Sequence, residues 1–248
     1  LSVATFQRNV TWQNEISLWE DVAKKAPNKI SGYNNTGEAY LSKNLPDEAI
    51  EYFHAALRLK PDFAGAYNNL GNAYALKGLT DIAIEYFQTA LSLKPDMARA
   101  HYNLGNVYAS IGQADRAINH FQLALQLEPN SEATHNNLGN FYLSTNFIDE
   151  AIEHFQIVLR LNPDLAHAHY NLGNAYLYKG LPDKAIEHFR IALNLKPDSF
   201  EVHNNLGTVY ESLGLLDEAA KEYQRALMLK PDNDAAKINL NRLLQKTE

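Results

Sequence analysis

The 248-residue chain predicts an all-α fold, a solenoid of helix-turn-helix repeats, and three observations carry that prediction. Proline recurs at residues 27, 61, 95, 129, 163, 197 and 231, always 34 residues apart, so the chain is a tandem array. Between successive prolines lie two segments whose apolar residues keep the spacing of helices buried along one face. A glycine or asparagine separates the two segments in every unit, as a tight reversal requires. A hairpin of two short helices cannot bury its apolar faces alone, so each unit must stack on its neighbours.

Residues 1–26 read as a linker and capping helix: Trp12–Ala26 holds Trp19 and Val22 in the register that later second helices use for Phe and Ala. Six complete units follow, at 27–60, 61–94, 95–128, 129–162, 163–196 and 197–230, roughly four fifths of the chain. In 61–94 the first helix carries Ala66, Leu70, Gly71, Ala73 and Tyr74 on one stripe, and Gly78 ends it in the left-handed conformation. The column Asp47, Asp81, Asp115, Asp149, Asp183 and Asp217 is expected to cap the second helices, since a carboxylate accepts from free N–H groups and suits the positive helix end. Ala83, Ile84, Phe87, Ala90, Leu91 and Leu93 form the second stripe, and Pro95 stops it. Gly37, Gly71, Gly105, Gly139, Gly173 and Gly207 fall where the two helices of a hairpin must approach closely. Asn44 and Asn146 replace the turn glycine in two units, which asparagine tolerates better than most residues. Residues 231–248 begin another unit and stop after its first helix, so 233–246 reads as a solvating cap with Lys237, Asn241 and Gln245 outward.

Composition excludes several classes of function. With 46% hydrophobic and 21% charged residues the chain is not intrinsically disordered. A net charge of −7 without basic runs argues against nucleic acid as a partner. The absence of cysteine removes disulfides, thiolate metal sites and a cysteine nucleophile. No apolar run is long enough for a membrane span.

The spacing of Tyr67, Leu70-Gly71, Tyr74, Ala83, Phe87, Ala90 and Pro95 resembles the tetratricopeptide repeat (TPR), over 27–230 in six successive units. That resemblance implies a right-handed superhelix whose first helices line a concave groove, in proteins that bind partners rather than catalyse. Arg8-Asn9, Trp12, Glu15, Leu18-Trp19, Asp21 and Pro27 are similar to the linker that follows the last membrane span in transmembrane-and-TPR proteins, including protein O-mannosyltransferases. This second likeness implies that Leu1–Thr5 is the tail of a membrane helix and the chain an extracytoplasmic domain of an anchored protein. A cytoplasmic placement is the alternative. The first residue, Leu1 rather than Met, points the same way, to a region of something longer.

With Leu, Gly and Tyr on the packed side of the first helix, the preceding residue faces the groove, and that column is Asn35, Asn69, Asn103, Asn137, Asn171, Asn205 and Asn239. One turn further stand Glu38, Asn72, Asn106, Asn140, Asn174, Thr208 and Arg242. Carboxamides supply two donors and an acceptor, which suits the backbone of an extended peptide. The two columns resemble the asparagine ladder in the TPR region of O-GlcNAc transferase, which implies sequence-tolerant capture of extended segments. The other reading is that each amide bonds a neighbouring repeat and sets the pitch. Tyr102 and Tyr170, one place before the ladder, either anchor a ligand side chain or are structural, and Arg99 stands near a helix start. A basic clamp for a terminal carboxylate is absent, because the corresponding places hold Asn34, Asn68 and Gly65.

Nothing in the sequence calls for a catalytic residue, a cofactor or a metal. The nine histidines fall largely into two columns, His101, His135, His169, His203 and His120, His154, His188, whose members lie one repeat apart, too far to share an ion. They read as polar-edged packing residues. The sequence-level function is therefore a non-enzymatic scaffold for a protein or extended peptide. The substrate-recruiting arm of a membrane-bound glycosyltransferase and a self-assembling array that forms homo-oligomers are the alternatives.

Overall fold

The computed structural model describes residues 15–247. The described residues form fourteen helices and no strand: α1 Glu15–Lys25, α2 Ile30–Ser42, α3 Pro46–Leu59, α4 Ala64–Leu76, α5 Thr80–Leu93, α6 Ala98–Ser110, α7 Ala114–Leu127, α8 Glu132–Ser144, α9 Ile148–Leu161, α10 Ala166–Tyr178, α11 Pro182–Leu195, α12 Phe200–Ser212, α13 Leu216–Leu229 and α14 Asp234–Thr247. Each 34-residue period holds one helical hairpin, so the expected all-α solenoid of helix-turn-helix repeats is what the chain forms. Leu1–Thr5, the Asn9 region and Trp12 lie outside the described residues. No helix among the described residues is long and apolar enough to cross a membrane.

The chain divides into two compact units, Leu1–Pro129 and Asn130–Glu248. In both, the hairpin is locked by one ring against one glycine. A Cβ built on Gly71 would lie 2.6 Å from the Phe87 ring, and one on Gly173 would lie 2.6 Å from Phe189. Both rings are fully buried and have nowhere to move, so only glycine lets the helices meet at this distance. The core of unit 1 centres on Ala49, Phe53, Leu70 and Ala73, and that of unit 2 includes Phe155, Leu172, Phe189, Leu206 and Tyr223.

The turn between the helices corrects one expectation. The Asp column does not cap: the N-cap positions are Leu45, Leu79, Gln113, Phe147, Leu181 and Leu215, without a side-chain cap bond, and each Asp stands two residues later in the first turn. The reason lies in the helix before. Gly78, at φ +73°, donates to the Ala75 carbonyl and Leu79 donates to the Tyr74 carbonyl, which is the two-bond C-terminal motif that calls for an apolar residue just past the glycine. Leu79 therefore closes one helix and opens the next, and packing chooses its side chain. Asn44 and Asn146, at φ 59° and 66°, replace glycine in this motif as expected. Asp81 and its equivalents still place negative charge at the positive helix end. Two of them also reach the following repeat, where Lys77 pairs with Asp47 and Lys179 with Asp149.

The array ends are held by polar contacts. Tyr40 and Tyr52 both donate to the Glu20 carboxylate of α1, at 2.8 and 3.0 Å. At the other end α14 buries Ala236 and Leu243, and Arg242 pairs with Glu211 at 2.8 Å.

Candidate functional site

Within each unit, successive first helices stack in one register, and the asparagine ladder lies in the seam between them. In unit 1, Asn69 is only 3% exposed. Its Nδ2 donates to Asn34 Oδ1 at 3.0 Å and to Glu38 Oε1 at 2.8 Å, which engages both of its N–H groups. Asn103 Nδ2 donates to Asn68 Oδ1 at 2.9 Å. Unit 2 repeats the arrangement: Asn171 donates to Asn136 at 2.9 Å, Asn239 to Asn204 at 3.1 Å, and Asn205 to both Asn174 and the Tyr170 hydroxyl. The residue one place before the ladder, which the sequence presents as flanking surface, is thus the acceptor that ties one repeat to the next. These bonds support the pitch-setting reading of the first column. Asn35 and Asn137 are half-buried.

The second column lies nearer the open face. Asn72, Asn106 and Asn174 are half-buried and Asn140 is exposed. In unit 1, Asn69, Asn72, Asn103, Asn106 and Arg99 come together around a groove of about 600 Å³. Its remaining wall does not stand out in the sequence: Leu41, Ala75, Leu76 and Val107 supply an apolar edge, and Glu38 closes the repeat 27–60 side. The signal is present nonetheless, because Leu41 and Ala75 recur at one position near the ends of α2 and α4, on the face that carries the amides. Arg99 stands at the opposite edge, on the second residue of α6, and is exposed.

Unit 2 offers a smaller cavity of about 230 Å³, lined by His167, Tyr170, Lys196, Ser199, Glu201 and neighbouring apolar residues. Tyr170 is tilted against Phe189 with centroids 6.1 Å apart, and Tyr102 of unit 1 packs the same way on Phe121 at 6.3 Å. Both tyrosines are half-buried, with rings that belong in part to the hairpin.

The histidine columns pair with each other, which single-column spacing does not reveal; the signal is their 19-residue separation. His101 and His120 Nδ1 atoms are 3.0 Å apart, His135 and His154 2.8 Å, and His169 and His188 2.9 Å. The Nε2 of His101 lies 3.2 Å from the Pro95 carbonyl, which can only accept, so His101 donates there and receives the His120 N–H on Nδ1. His169 repeats this with Pro163 at 3.0 Å. Burial is the first cause that keeps the second-helix imidazoles below their ordinary range: it pushes His120 down to about 4, and lowers His154 and His188. The neighbouring imidazole adds to the effect in each case. In the repeat 197–230, Glu222 replaces the second imidazole, 2.6 Å from His203. The described residues contain no group of three or more His, Cys, Asp or Glu side chains that could hold a metal ion.

Stacked hairpins, a polar seam and an open groove along the first helices define a helical repeat protein of the interaction-scaffold class. The tetratricopeptide repeat family models match residues 62–128 and 170–236, and a TPR repeat model matches 37–78 and 139–180. The chain belongs to the tetratricopeptide repeat family. Among solved structures it is similar to the APC/C hetero-tetramer Cut9-Hcn1 (26% identity, TM-score 0.78, 95% of this chain and 46% of that one). It thus spans less than half the length of that relative. It is also similar to YrrB, described as a TPR protein with an unusual peptide-binding site (27% identity, TM-score 0.56, 74% and 95% covered), and to MamA (30% identity, TM-score 0.58, 65% and 94% covered). No curated protein matches the chain.

Proposed function

We propose that this chain is an interaction scaffold that binds an extended polypeptide segment along the amide-lined face of its first helices. One observation carries the proposal: Asn69, Asn72, Asn103, Asn106 and Arg99, singled out from sequence, line one groove in unit 1. The similarity to YrrB, a TPR protein with an unusual peptide-binding site, supports the same reading. The two columns divide the work. The first column, buried at Asn69 and half-buried elsewhere, holds the seam, and the outer column, Asn72 and Asn106 with their equivalents Asn140 and Asn174, meets the ligand backbone. Tyr102, Tyr170 and the open sides of Asn103 and Asn171 flank it.

The test is a display selection of random ten-residue peptides on the full chain, followed by titration of the enriched peptides against wild type and Asn72→Trp. Asn72 lines the groove and is half-exposed, so an indole there fills the groove and leaves the seam bonds intact. Binding should fall by roughly tenfold or more with no change in helicity. Enriched peptides that bind Asn72→Trp as tightly as wild type contradict a groove in unit 1.

A further inference from the structure

The unit 1 groove has two unlike edges. Its helix-start edge carries Arg99, while its helix-end edge is mainly apolar, with Leu41, Ala75, Leu76 and Val107 beside the hydroxyls of Ser42 and Ser110. Leu76 is 55% exposed and available to an apolar side chain at this edge. The ion pairs of the described residues use Lys25, Lys77, Lys179, Lys237, His203 and Arg242, and Arg99 stands outside them, exposed. Arg99 and Leu76 are eleven positions apart in repeat register, or roughly 16 Å along the helix direction at about 1.5 Å per residue.

A segment running across the stacked helices points successive side chains to opposite sides, because an extended backbone alternates. One side chain then meets the cation edge and its neighbour the apolar edge. The carboxylate of Glu38 fixes the register: it lies in the repeat 27–60 and already accepts from Asn34 and Asn69, so a ligand carboxylate belongs at the far end, in the repeat of Arg99. No other first helix has a lysine or arginine at the Arg99 position, where the equivalents are Ser31, Gly65, Ala133, His167, Glu201 and Ala235. Unit 2 presents Glu201 at the Arg99 position of the repeat 197–230, in a cavity that Lys196 and His167 also line, so its charge pattern differs from that of unit 1.

We infer that the unit 1 groove selects extended peptides in which an acidic residue adjoins an apolar one, the carboxylate pairing with Arg99 and the apolar side chain seated on Leu41, Ala75 and Leu76. This specificity rests on the peptide-binding reading above. It accounts for why a polar groove keeps an exposed leucine edge and one isolated cation.

The experiment uses the same ten-residue display selection on the full chain, read for residue pairs, with fluorescein-labelled synthetic copies of the enriched peptides for titration. Enrichment of adjacent acidic and apolar residues is expected. Affinity should drop about tenfold in Arg99→Glu and fall with added salt, while Arg99→Lys retains most of it. Arg99 is exposed, so circular dichroism and melting should be unchanged in both variants. Peptides that Asn72→Trp blocks but that show no acidic preference and bind Arg99→Glu normally overturn the specificity and leave the groove reading standing. A selection that enriches nothing above protein-free wells overturns the groove reading and the specificity together.

Discussion

The first two repeats of unit 1 and the first two of unit 2 build the same ring cluster from different chemistry. In unit 1, Tyr40 stacks on Tyr52 with centroids 5.4 Å apart, and Tyr74 stacks on Tyr86 at 5.2 Å. In unit 2 the equivalent rings are Tyr142 on His154 at 5.6 Å and Tyr176 on His188 at 5.5 Å, each joined to a second histidine. The backbone frame tolerates either set, because a flat ring of either kind fills the space. What changes is the response to protons. Burial raises Tyr52 and Tyr86, so these rings stay neutral over the ordinary pH range, whereas the histidine clusters are neutral only when pH is high enough. The groove edges differ in the same manner, Arg99 in unit 1 against His167 and Glu201 in unit 2. Common packing with local substitutions of charge thus gives one repeat fold two different surfaces.

The comparison is sharpest where the units should agree. Gly71→Val in unit 1 and Gly173→Val in unit 2 both drive a branched side chain into a buried ring, and each should cost about 3 kcal/mol or more in denaturant unfolding. A large difference between the two would show that the hairpins are not equivalent. The buried amide comes next. Asn69→Ala leaves the Asn34 carbonyl oxygen without this donor and Glu38 with Asn34 alone, and should cost about 1–3 kcal/mol, against about 1 kcal/mol for Asn103→Ala, with one such bond.

Acid should then separate the first two repeats of unit 2 from the first two of unit 1. In the latter, His54 is the one histidine and is also lowered by burial, while unit 1 carries its own pair, His101 and His120, in the repeat 95–128. The folded imidazoles of His154 and His188 lie below the unfolded value of 6.5, so the folded state binds fewer protons. Their stabilisation is complete above about that pH and is lost as pH falls through the folded values, near 4 for His120. Protonating both members of a pair sets two N–H groups face to face. Arg116 and Tyr108 border the His120 pair, Glu153 and Tyr142 the His154 pair, and Lys184, Glu187 and Tyr176 the His188 pair, so Glu153 and Glu187 partly offset the effect in unit 2. Hydrogen exchange followed as pH falls below about 6.5 should show α8–α11 loosening before α2–α5. The double change His135→Tyr with His154→Tyr should narrow the gap. The smallest effect is expected at the exposed pairs: Asp47→Ala and Asp149→Ala should each stay within about 0.5 kcal/mol of wild type.

The repeat was legible because steric demands leave a strict trace. Glycine under a ring, a left-handed residue at the turn and proline past the second helix each admit few residue types, so they recur at fixed positions. The Asp column was readable as a helix start but not as a position, since the cap falls on the residue that must also close the preceding helix. Asn69 and Asn103 were visible as a column, yet the use of their donors depends on the 35-residue register between stacked helices. The histidine pairs required knowing that the two columns face each other across one hairpin. The apolar edge at Leu41 and Ala75 was hidden because a leucine or alanine on a helix reads first as core.

The most direct test of the groove is a titration of the isotope-labelled chain with a display-selected peptide, followed through the Asn side-chain Nδ2 resonances. Shifts at Asn72, Asn103 and Asn106 together with the Arg99 guanidinium, in proportion to one saturating site, are what the account predicts. Saturation with those four side chains unmoved and the perturbation confined to second helices would contradict it.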